Sequence, residues 1–129
     1  MNERVNRVKD RDWVVLVIPV KDNPYNAVWT LPGEPGSPEN YRALVGHIEQ
    51  VVGYPVEHVT VFCDFTGGRT FRYLDMFVNE EGHLLGLPIN AFATAIYQNN
   101  TIYHDPQIRQ EDIPTIAGPA VLFEEKVWR

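Results

Sequence analysis

The chain has 129 residues, 44% hydrophobic and 22% charged, which suits one globular domain with a single core and leaves too little material for two. No apolar run approaches the roughly 20 residues of a membrane span, and a single cysteine excludes an internal disulfide or a multi-cysteine zinc site. The net charge of −6 is uneven: residues 1–21 hold five Lys/Arg against three Asp/Glu, so the rest sets six cations against fourteen acids and works against phosphate-backbone binding.

Residues 1–11, "MNERVNRVKDR", read as a flexible basic tail, with residues 12–129 as a single domain. No signal-peptide cleavage site follows the short apolar run, so the expected location is cytoplasmic. Neither nucleic acid nor a membrane is expected as a partner. "DWVVLVIPV", Asp12–Val20, is a continuous β-branched run ended by Pro19, and it suits a buried strand. The Pro-, Gly- and Asn-rich segment after it is loop, with room for a short strand at Ala27–Leu31.

A helix should follow. Ser37 is a natural cap, Pro38 fits the first helical position, and Glu39 favours the positive end of the dipole. Tyr41, Leu44, Val45, Ile48, Val51 and Val52 recur at steps of three and four, predicting one apolar face, and Gly53 ends the helix. "VEHVTVFCDF" and "RTFRYLDMFV" alternate as strands do and flank "TGG", predicting a hairpin that turns at Thr66–Gly68. Both of its faces are apolar, so one should pack on the helix and the other on a second layer or a partner subunit. "NEEG", Asn79–Gly82, reads as a turn, "LPINAFATAIYQNN" as a helix of about two turns starting near Ile89 or Asn90, and "AGPAVLFEE", Ala117–Glu125, as a closing strand. The predicted fold is α+β: a mainly antiparallel sheet packed with one long and one short helix. Without βαβ repeats, a Rossmann plan is not expected.

Three segments together are similar to a known family. "LVGHIEQV", Leu44–Val51, resembles the Val-Gly-Gly-x-Ile-Glu helix segment of a small domain of unknown function from bacteria, plasmids and phages. "VNEEGHLLGLPINAFAT", Val78–Thr94, resembles that family's Gly-Leu-Pro-x-Asn signature, and "AGPAVLF" its C-terminal strand. The likeness runs from about residue 37 to 123. Val45 stands where the family has a first Gly, and the "TGG" region is longer and more aromatic. The resemblance implies a phage or mobile-element setting and carries no activity with it.

The Gly-Leu-Pro-x-Asn element has a reading that needs no ligand. Gly86 permits a backbone geometry other residues resist, Pro88 pushes Leu87 towards an extended conformation, and Asn90 can cap the next helix. The same helix N-terminus could hold an anion. His47 and Glu49 lie two apart on a helix and point in different directions. His83 and His104 sit in separate loops without metal-ligand spacing. Cys63, mid-strand, is a small hydrophobe before it is a nucleophile. Asp64, Asp75, Arg69 and Arg72 are expected as cross-strand charges at the hairpin tip, with a polar site formed with Tyr73 and Glu49 as the other reading. Trp13, Trp29, Tyr41, Phe62, Phe65, Phe71, Tyr73 and Phe77 read first as core material, and surplus ones on the hairpin's second face could instead form an interface, including a dimeric one.

The function that follows is a non-enzymatic accessory or interaction module of phage or mobile-element origin, acting through a protein partner or as a homodimer, without a cofactor. The alternative is a protein that binds or sequesters an anion or nucleotide. Its candidate ligand residues are Arg69, Arg72, Tyr73, Gly86 and Asn90, with no catalytic residue and no metal ligand.

Overall fold

The computed structural model describes residues 12–34, 36–63 and 72–123. The tail at 1–11 and the hairpin turn at 66–68 lie outside the described residues. Strand β1 (Asp12–Ile18) pairs antiparallel with β2 (Tyr25–Thr30), in register from Asp12↔Thr30 to Val17↔Tyr25. β1 stops at Ile18, just before Pro19, as expected, because proline cannot donate to the ladder. Helix α1 (Pro38–Val52) follows, then β3 (Val56–Cys63) and β4 (Arg72–Asn79), antiparallel over eight pairs from Val56↔Asn79 to Cys63↔Arg72. Helix α2 (Ala91–His104), a short 3-10 turn (Gln110–Asp112) and β5 (Ala120–Phe123) complete the order. The fold is α+β, as predicted: five antiparallel strands in the spatial order β2-β1-β5-β4-β3, with two helices.

Last in sequence, β5 is central in space, and all four of its residues are buried. Alternation along the strands sends side chains to two separate cores. Val15, Val17, Phe77, Val121 and Phe123 meet Leu44, Ile48 and Val52 of α1. Ile18, Val61, Met76, Val78, Ala120 and Leu122 meet Ala93 and Ile96 of α2. The helices therefore cover opposite faces, and the second layer anticipated for the hairpin is α2. Phe123 anchors the α1 side: Trp13, Trp29 and Phe77 stand edge-on to it at 5.7, 5.9 and 5.6 Å. Each such pair adds about 0.5–1.5 kcal/mol beyond its buried area.

Two local expectations need correction. Tyr41 is exposed; the buried stripe of α1 runs Asn40, Leu44, Ile48, Val52, a strict four-residue repeat that leaves Tyr41 at its flank. And α2 has 14 residues, nearly as many as the 15 of α1. "QNNT" is a poor helix sequence, but Asn100 is buried against the domain and the Thr101 hydroxyl donates to Tyr97 O at 2.9 Å. Packing outweighs propensity there. No helix among the described residues is long and apolar enough to cross a membrane.

Candidate interaction surface

The segment from Asn79 to Thr94 is where backbone chemistry is most concentrated. Asn79 ends β4 buried, donating to Val52 O at 3.0 Å and accepting the Glu81 N–H at 2.7 Å, so it ties the end of α1 to the turn that follows. The turn is one helical loop closed as a Schellman motif. Leu87 N–H donates to Gly82 O and Gly86 N–H to His83 O, with Gly86 at φ +75° as the left-handed terminator. Gly82 is needed for a different reason: a Cβ there would stand 2.3 Å from Ala117 O.

From Pro88 the chain runs briefly as a strand against residues 116–118. Gly118 N–H donates to Pro88 O, Asn90 N–H donates to Ile116 O, and Ile89 pairs with Ala117. Asn90 is fully buried. Its Oδ1 accepts the Ala93 N–H at 3.0 Å and so caps α2, while Nδ2 donates to Ile18 O at 2.9 Å and Gly118 O at 3.0 Å. One side chain thus joins the end of β1, the approach to β5 and the start of α2. Gly86 and Asn90 both steer the main chain.

This scaffold holds apolar side chains out to water. Leu84, Leu85, Ile89 and Phe92 are 81, 56, 49 and 44% exposed. Single exposed leucines are ordinary, but four within nine residues of a hydrogen-bonded turn are not explained by folding. On its other side the turn borders a cleft of about 180 Å³ lined by Glu57, Glu80, His83, Tyr97, Thr115 and Ile116. Drug-sized sites are larger, roughly 300–1,000 Å³; this cleft has room for one inserted side chain. His83 Nε2 donates to Thr115 O at 2.6 Å and closes one wall. Neither Glu57 nor Glu80 has a cationic partner among the described residues.

The remaining sequence candidates are scattered. Arg69, Asp64, Phe65 and Phe71 lie outside the described residues, and for Arg72, Tyr73, Phe62 and Cys63 only the main chain is described, so the expected polar site and aromatic interface at the hairpin fall there too. Asp75 does not sit at the hairpin tip. It pairs with Thr60 well inside the β3–β4 ladder, is fully buried, and approaches His58 Nε2 at 2.7 Å. Sequence reasoning missed His58, whose ring also packs on Phe77 at 5.1 Å. Thr60 Oγ1 lies 3.5 Å from the same Nε2. In a hydrolytic triad, acid and nucleophile bond opposite ring nitrogens; here both reach one nitrogen, so the three do not form that relay. Among the described residues, no group of three or more His, Cys, Asp or Glu could hold a metal.

The geometry defines a five-stranded antiparallel α+β fold with a hydrogen-bonded, apolar, solvent-facing turn between β4 and α2. Comparison with protein-family models, curated proteins and solved structures found no match to this chain.

Proposed function

We propose that this chain is a non-enzymatic interaction module, and that it engages a protein partner through the turn carrying Leu84, Leu85, Ile89 and Phe92. The observation that carries the reading is the conjunction of exposure with rigidity. These side chains are held in water by the Gly86 terminator, the Pro88–Gly118 contact and the Asn90 clamp. A preformed apolar surface loses little conformational freedom on binding, so more of its buried area is realised as affinity. A phage or mobile-element setting, which the resemblance of Leu44–Val51 and Val78–Thr94 implies, is part of the same proposal and adds no activity to it. The alternative, an anion or nucleotide binder, is less well supported: a ligand in the cleft beside the turn would face the carboxylates of Glu57 and Glu80.

Site-specific photocrosslinking in an expressing cell tests the proposal. A crosslinker at Leu84 should give an adduct of one defined mass that is absent when the probe is placed at exposed Tyr41. Leu85→Ser should abolish it. Equal labelling from both positions, or none from Leu84, would sink the reading. A native mass spectrum of the purified chain tests the alternative: a retained small anion would replace the interaction role with a binding one.

A further inference from the structure

The sheet has two edges, and they are protected unequally. Natural edge strands discourage pairing with other chains by means of charges, prolines, bulges or a covering element. β3 carries Glu57, exposed, and His58. β2, "YNAVWT", carries no charge and no proline, and its six-pair register with β1 has no bulge. Its outer backbone groups bond to none of the described residues. The sheet surface beside it is also open. α2 packs on the β3 side of its face, which leaves Val14 of β1 39% exposed and Val28 of β2 55% exposed.

We infer that β2 is a homodimer interface, pairing antiparallel with the β2 of a second copy to make one continuous ten-stranded sheet. The occupant is a second copy because the strand complements itself. Residues opposite one another in an antiparallel pair share a face, so the two-fold axis must pass through a residue pair of like parity. Centred on Val28, it sets Val28 against the second copy's Val28, Ala27 against Trp29, and Asn26 against Thr30. Every pair then matches: apolar with apolar, small with large, polar with polar. Centring on Ala27 would oppose Asn26 to Val28 and Tyr25 to Trp29, a polar–apolar mismatch and a crowded pair. With no charge on the strand, neither attraction to a charged partner nor repulsion between copies acts along the edge itself. The surface is separate from the apolar turn, so the inference does not rest on the function proposed above.

The experiment is native mass spectrometry with light scattering on the full chain. The expected result is a species of twice 14.8 kDa that dissociates on dilution. Val28→Lys, which places a charge on the axis, should give monomer with an unchanged circular dichroism spectrum. Should that variant unfold, Val28→Cys in a Cys63→Ser background keeps the test open. Across the axis two such cysteines are close enough to bridge, and mild oxidation should trap a covalent dimer that Tyr41→Cys does not give. A chain that stays monomeric at millimolar concentration, a dimer that Val28→Lys leaves intact, or no trapped dimer overturns the inference. Val28→Lys should leave the Leu84 crosslink unchanged, so the two proposals fail separately.

Discussion

Ser37 and Asn90 cap the two helices by the same device: each side-chain oxygen accepts an N–H from the third residue of the helix it starts, at 3.1 and 3.0 Å. Their surroundings differ. Ser37 is half-buried at the end of a Gly- and Pro-rich loop, and a cap is nearly all it supplies. Asn90 is fully enclosed, and its amide also satisfies the carbonyls of Ile18 and Gly118, from a strand and a loop remote in sequence. A capping residue on a loop stabilises one helix; the same residue at a junction of three elements stabilises their arrangement. The largest effect should therefore come from Asn90→Ala. It removes a cap worth about 1 kcal/mol and leaves two buried acceptors unpaired at roughly 1–3 kcal/mol each. A loss of about 3–7 kcal/mol in urea unfolding is expected. Asn90→Asp sharpens the comparison, because it retains the capping oxygen and loses the donor. If it matches wild type, the clamp is not what matters and the contrast with Ser37 fails.

Gly82→Ala ranks next. Its Cβ would meet Ala117 O at 2.3 Å, and that oxygen belongs to main chain fixed by the Ile89–Ala117 pairing. The turn must shift away from residues 116–118, at about 1–3 kcal/mol for an overpacked site. Because the shift moves the base on which Leu84 and Leu85 stand, the Leu84 crosslink should weaken along with stability. Full retention of both would mean that the turn is looser than its hydrogen bonds imply.

What could be read in advance follows the reach of each interaction. Ser37, Pro38 and Gly53 bound α1, and Gly86 and Asn90 bound the turn and α2, because caps and left-handed glycines act over three or four residues. The donor side of Asn90 was beyond such rules: its partners are 72 and 28 residues away. The hidden Asp75 illustrates a second limit. Period-two alternation places Asp75 and Phe77 on one face of β4, but cannot say that this face is covered by α1 or that His58 stands diagonally across the ladder. The exposed leucines show a third. Alternation has no meaning inside a turn, so "HLL" carried no signal of which side faces water. The centrality of β5 likewise depends on pairings between strands far apart in the chain.

The smallest effect expected is that of Ser37→Ala. Only the Asn40 N–H loses its acceptor, and at a half-buried site water can replace it, so about 1 kcal/mol is the expected loss, roughly 3–6 °C in Tm. Ser37→Gly should cost only a few tenths of a kcal/mol, since glycine at a cap leaves the first turn open to solvent. Comparing Ser37→Ala with Asn90→Ala in the same urea series then tests the opening contrast, because both remove one cap oxygen and only one removes the amide donor. Equal losses would show that the buried carbonyls of Ile18 and Gly118 find other partners when Asn90 is gone. A loss at Asn90 several times that at Ser37 would assign the difference to the junction of β1, α2 and the approach to β5, the same junction that holds Ile89 and Phe92 out in water.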